Sequence, residues 1–322
     1  MKNVIVSFLV LAISASVSFS QKKMVRVEVE QPFVYEGDTL SGTLLSSGKS
    51  LTKFNKLPLV IFISGSGPTD RNGNSILVDG PNNSFLQLAD SLLKMGVASY
   101  RYDKLGIAKS QMSKSESELR FEDNYQVTLA AIAKMKELGF KTIVIMGHSE
   151  GSLVGMLAAQ NAKVKGYISV AGPAQNALET IRGQLFQSLP QEMALDTYQK
   201  LDSIKQGYNI SKFNPALAAL LRPSVQPYLK SYFAYTPTEE LIKLNIPILI
   251  IQGGQDLQVL QSEGNALYNA VPKATYKAYP KMNHVLKQVD DTKEQNIASY
   301  GDPDFPLEKN LAGDIANWVK SL

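Results

Sequence analysis

The segment Gly147-His148-Ser149-Glu150-Gly151 constrains this chain more than any other, because of what flanks it. Residues 142–146 before it are apolar and mostly β-branched, and residues 152–160 after it are small or helix-forming. A strand that turns at once into a helix brings two backbones too close for side chains, so glycine is needed at both ends of the turn. The same turn forces the central serine into a strained conformation and lifts its hydroxyl above the sheet. The N-terminus of the new helix then points at that hydroxyl, and its backbone N–H groups face the place where an oxyanion would form. The pattern itself recurs by chance, and the strand and helix around it are what give it weight.

A serine hydroxyl is a poor nucleophile at its own pKa and needs a base, usually an imidazole held in one tautomer by a third group. The chain has 2 histidines. His148 lies inside the elbow, where its side chain should project away from the hydroxyl, and this leaves His284. His284 ends the polar loop Tyr279-Pro280-Lys281-Met282-Asn283-His284, after a predicted strand at 274–279. Taken alone, such a histidine reads as a solvated loop side chain. Upstream, however, residues 246–252 form an uncharged β-branched run of the kind buried on both faces of a sheet. Gly253-Gly254-Gln255-Asp256 leaves that run and supplies a carboxylate one helix and one strand before His284. Asp256 also reads as an N-cap for a helix starting near Gln258. Asp290 and Asp291 follow the histidine on a charged, surface-like segment and are weaker candidates for the acid.

The order Ser149, Asp256, His284 is the α/β-hydrolase order, and the chain resembles that family over nearly all of its length after the leader. A first strand pair is expected at 25–29 and 39–45 around the turn Glu36-Gly37-Asp38, and a buried strand at 59–63. That strand runs into Ser64-Gly65-Ser66-Gly67-Pro68, where the family carries its oxyanion loop and where Ser64 replaces the usual histidine. With Asp70-Arg71-Asn72-Gly73-Asn74, the loop is similar to a subset of secreted or periplasmic members that are esterase-like or serine aminopeptidase-like. The resemblance implies that the backbone N–H groups of Ser66 and Glu150 bind the oxyanion, a role that needs no particular side chain. Residues 103–110 resemble the family's Asp-x-x-Gly-x-Gly-x-Ser loop with Ala108 in place of one glycine, and read as structural.

Gly65-Ser66-Gly67 is not a dinucleotide fingerprint, since position 70 is Asp70, Pro68 interrupts, and no helix can open before about Asn82. A net charge of +4 with scattered lysines offers no track for a phosphate backbone, so no nucleic-acid partner is expected. Residues 1–20 read as a cleavable signal peptide, which implies a secreted or periplasmic protein with no stable membrane insertion once the leader is removed. The absence of cysteine rules out disulfides, thiol catalysis and thiolate metal sites. The chemistry calls for no metal or organic cofactor.

The expected fold is α/β, an α/β-hydrolase fold with a mostly parallel central sheet and helices on both faces. Its core would comprise 21–173 and 245–322, and a helical cap insertion 174–244, with helices at 176–189, 191–205, 215–221 and 225–233. The cap aromatics Phe186, Tyr198, Tyr208, Phe213, Tyr228, Tyr232, Phe233 and Tyr235 line an apolar pocket or form the cap's own core. The expected activity is hydrolysis of carboxylic esters through an acyl-enzyme, on a small-molecule ester or a short peptide. A serine aminopeptidase using Glu150, Glu179 or Asp196 for the substrate amine is the alternative, and a catalytically silent binding protein is the alternative of another class.

Overall fold

Apolar strands and one-sided helices alternate along the chain, and that alternation sets the architecture of the computed structural model. The structure describes residues 25–50, 53–54, 57–290 and 292–322, so the leader and Asp291 lie outside it. Its strands are β1 (Val25–Glu30), β2 (Phe33–Tyr35), β3 (Asp38–Leu40), β4 (Gly42–Ser50), β5 (Lys53–Phe54), β6 (Leu59–Ile63), β7 (Ala98–Tyr102), β8 (Ile143–His148), β9 (Gly166–Val170), β10 (Ile248–Gly253) and β11 (Thr275–Tyr279). The helices of the sheet layers are α1 (Ser84–Lys94), α2 (Phe121–Glu137) and α3 (Glu150–Asn161). Between β9 and β10 stand α4 (Ala177–Ser188), α5 (Gln191–Gln206), α6 (Ala218–Leu221), α7 (Gln226–Tyr232) and α8 (Pro237–Ile242). After β10 come α9 (Gln261–Ala270), α10 (Lys293–Ala298) and α11 (Leu311–Lys320).

The main sheet runs β1-β4-β7-β6-β8-β9-β10-β11, with β5 beside β4. It is antiparallel where β4 meets β1 and β7, and parallel from β7 through β11. Strand β8 lies between β6 and β9, and all but its last residue is buried, as strands covered on both faces must be. One core packs α2 and α3 against the sheet through Phe121, Met135, Leu153 and Met156. The opposite face packs α1 and α11 through Phe85, Leu88, Leu311 and Ile315. The expected mostly parallel sheet with helices on both faces is the observed one.

Local expectations needed correction. The turn at Glu36-Gly37 does not join the first pair of the main sheet but closes a separate hairpin of β2 and β3. The partner of β1 is β4, which begins at Gly42. Pro32 between β1 and β2 has no N–H to continue the ladder, so the chain leaves the main sheet there. The helix predicted at 215–221 is a 3-10 turn followed by α6. Helix α8 was not anticipated, since 6 residues opened by Pro237 are too few to display a helical period.

Candidate active site

The elbow forms as its glycines require. A Cβ on Gly147 would stand 2.1 Å from the Gly151 carbonyl oxygen, and one on Gly151 would stand 2.6 Å from that of Ile63. Both glycines are therefore demanded by the close approach of β8, α3 and β6. Ser149 adopts φ 56 and ψ −125, a conformation that L-residues avoid, and it links β8 directly to α3. Its N–H is held by the Val170 carbonyl at 3.0 Å.

His284 and Asp256 meet although they come from loops after β11 and β10. The imidazole Nδ1 lies 2.9 Å and 3.1 Å from the two carboxylate oxygens, and both side chains are buried. Since the carboxylate only accepts, Nδ1 carries the proton, and Nε2 is the nitrogen with a lone pair for base chemistry. Asp256 Oδ1 also accepts from the backbone N–H groups of Gln258 at 2.8 Å and Val259 at 2.9 Å. Asp256 is thus not a helix N-cap: the next helix starts at Gln261 with Leu260 at its N-cap, and the two N–H groups belong to the loop before it. The histidine loop is fixed from below by Asn283, which donates to Asn296 Oδ1 at 3.0 Å and to Ser299 Oγ at 2.6 Å. Asp290, the rejected alternative acid, is exposed beside Lys281.

His148 has a part that its sequence position hid. Its Nε2 lies 2.7 Å from the His284 carbonyl oxygen, and the two rings are 4.7 Å apart between centroids. Burial, with the neighbouring His284 ring, pushes its pKa down to about 3. The neutral ring must carry its proton on Nε2, because a carbonyl can only accept. His148 thus supports the backbone of the histidine that shares a cavity with Ser149.

The two loops quoted from the sequence, 70–74 and 103–110, are bound to each other through a buried ion pair. Arg71 donates to Asp103 Oδ2, to Glu30 Oε2 and to Thr43 Oγ1, each at 2.8 Å, and its own N–H reaches Asp103 Oδ1 at 2.8 Å. Ala108, where the family carries glycine, holds φ 49, so the backbone keeps a left-handed turn that suits glycine better. The loop at 64–68 rests on Ser64, whose hydroxyl reaches the Thr69 carbonyl oxygen at 3.4 Å.

Ser149 stands where two cavities meet. One of about 250 Å³ is lined by Ser66, Ser75, Val78, His148, Ser149 and His284. The other, of about 670 Å³, reaches under the helices that follow β9 and is lined by Ser149 and Glu150 from the core and by Ile181, Tyr228, Leu229 and Tyr232 above them. Ser66 borders both cavities, and Glu150 is the first residue of α3, so both expected oxyanion donors stand beside the serine. Glu179 pairs with Arg182, and Asp196 bonds to Lys200; neither borders the large cavity. Of the expected cap aromatics, Tyr228 and Tyr232 line it, whereas Phe186 and Tyr208 are exposed.

The sheet order, the elbow between β8 and α3, and an acid-histidine pair on the loops after β10 and β11 define the α/β-hydrolase fold. Known proteins agree on the fold. Esterase EstD of Thermotoga maritima is 26% identical over 268 residues, covering 73% of this chain and 60% of EstD. The chain thus spans about three fifths of that relative's length. Est1E of Butyrivibrio proteoclasticus, solved with ferulic acid bound, matches with a TM-score of 0.55 at 20% identity, over 84% of this chain and 96% of its own. A proline iminopeptidase of Mycobacterium smegmatis matches with a TM-score of 0.56 at 14% identity, over 91% and 98%. No family model matches the chain.

Proposed function

We propose that this protein is a serine hydrolase that cleaves carboxylic esters through an acyl-enzyme. The observation that carries the proposal is the buried His284–Asp256 pair, whose imidazole lines one cavity with a strained Ser149. His284 takes the Ser149 proton as the oxygen attacks the ester carbonyl, the N–H groups of Ser66 and Glu150 hold the oxyanion, and Asp256 stabilises the imidazolium. The imidazolium then protonates the departing alcohol, and water, deprotonated by the same ring, releases the acid. The likeness to EstD supports an ester as substrate.

The cavities give the ester a direction. The alcohol must leave beside the imidazole that protonates it, and His284 lines the smaller cavity but not the larger. The alcohol therefore belongs in the cavity of about 250 Å³ and the acyl chain in that of about 670 Å³. A peptidase would need a carboxylate for the substrate's amine. Glu150 is the one expected candidate that borders the large cavity, and it faces Tyr228 and Lys104.

The test is hydrolysis of p-nitrophenyl esters and aminoacyl-p-nitroanilides by the protein and by Ser149→Ala. Ester turnover should fall by at least about 10⁴-fold in the variant, with the unfolding transition unchanged. Ester hydrolysis that persists in Ser149→Ala removes the proposal, and turnover confined to the anilides replaces it with the peptidase.

A further inference from the structure

Lys104 is half-buried at the end of β7, and its ammonium is turned onto backbone rather than solvent. It donates to the Gly65 carbonyl oxygen at 2.5 Å and to that of Gly67 at 2.7 Å. These carbonyls lie on either side of Ser66, the residue whose N–H is assigned to the oxyanion. A trans peptide points its C=O and N–H in opposite directions, and no peptide among the described residues is cis. The Gly65 carbonyl and the Ser66 N–H belong to one peptide plane, so anchoring the first orients the second.

The anchor matters because of the local sequence. Ser66 stands between two glycines, so little steric resistance opposes rotation of the peptides around it. A rotated 65–66 peptide would present a carbonyl oxygen where the serine chemistry needs a donor, turning stabilisation of the oxyanion into repulsion. Ser64, which stands where the family has histidine, reaches only the Thr69 carbonyl oxygen, at 3.4 Å, and leaves peptide 65–66 untouched.

We propose that Lys104 is a positioning residue for oxyanion binding: its ammonium holds peptides 65–66 and 67–68, on either side of Ser66, with the Ser66 N–H toward the reacting carbonyl. Burial works against the ammonium and against the Glu150 carboxylate alike, and each charge offsets that cost for the other. Tyr228, whose pKa burial and Glu150 hold well above its ordinary value, donates to Glu150 Oε1 at 3.1 Å and secures the carboxylate from above. This inference rests on the hydrolase proposal for its chemistry but not for its geometry.

The test compares Lys104→Met, which keeps the aliphatic stem and removes the donors, with Lys104→Arg. In Lys104→Met, kcat on an ester should fall about 100-fold with KM within threefold of the parent, the signature of an interaction made in the transition state. Affinity for a trifluoromethyl ketone analogue should fall in parallel, while affinity for the carboxylic acid product stays. Lys104→Arg should recover at least about tenfold of the lost kcat, because a guanidinium still offers donors to carbonyls. A kcat for Lys104→Met within threefold of the parent overturns the inference, as does a loss confined to KM. Amide exchange at residues 65–69 reports on the loop whether or not esters are cleaved. Protection there should drop in Lys104→Met, and unchanged protection overturns the positioning role even if the enzyme is a hydrolase. Faster exchange in a protein that cleaves no ester leaves the anchor standing and removes the hydrolase proposal alone.

Discussion

His148 shows how a residue set aside as the base can still have a part in the site. Its depressed pKa means that the folded protein refuses a proton between about pH 6.5 and 3 that the unfolded chain accepts. Above that window both states hold the ring neutral and the group has no effect on stability. As pH falls through it, the unfolded state gains the proton and stability declines. His148→Gln, whose amide can still donate to the His284 carbonyl oxygen, should flatten this dependence by up to one proton. Urea midpoints of the two proteins between pH 7.5 and 4.5 measure it, and parallel slopes would refute it. Ser149, Asp256 and His284 were legible because their chemistry follows from residue type and chain order. His148 and Lys104 were not, because each acts on a backbone carbonyl, 136 and 39 residues away in sequence, and no side-chain pattern marks such a partner.

At the scale of elements, the strands buried on both faces were the most legible, since β6, β8 and β10 are continuous apolar runs. After β9, α4 and α5 were legible, whereas the segments opened by Pro215 and Pro237 were harder, because they are shorter than two turns. The loops 70–74 and 103–110 were visible as motifs, but not the bond between them. Arg71 joins the loop after β6 to the loop after β7 and ties both to β1 and β4 through Glu30 and Thr43. Removing one partner of a buried pair leaves the other charge uncompensated. Arg71→Met should therefore destabilise the protein by about 3 kcal/mol. Because Lys104 directly follows Asp103, the same variant should also lower ester kcat. Urea denaturation beside ester assays checks both, and a stability loss below about 1 kcal/mol would show that Asp103 finds other support.

Across the whole molecule, two unequal spaces meet at Ser149, and the helices between β9 and β10 wall only the larger. The smaller holds His284 and the polar side chains of Ser66 and Ser75, and it is closed on one side by Val78. The larger is walled by Ile181, Leu229 and Tyr232 and has no imidazole. If the alcohol leaves beside His284, bulk added to one wall should be felt by one half of the ester alone. Ile181→Trp narrows the large cavity from a half-buried position and should lower kcat/KM for ethyl octanoate about tenfold more than for ethyl acetate. Val78→Trp should spare both ethyl esters and discriminate against octyl acetate by a similar factor. Competition assays with these three esters measure the ratios directly, since kcat/KM governs partition between substrates present together. The reverse pattern, with Ile181→Trp penalising octyl acetate, would place the alcohol under the helices and the acyl chain beside the histidine. That outcome would require the proton to reach the leaving oxygen by another path, because His284 does not line the large cavity. On the proposed mechanism, the unequal cavities make the direction of the ester a consequence of where one imidazole stands.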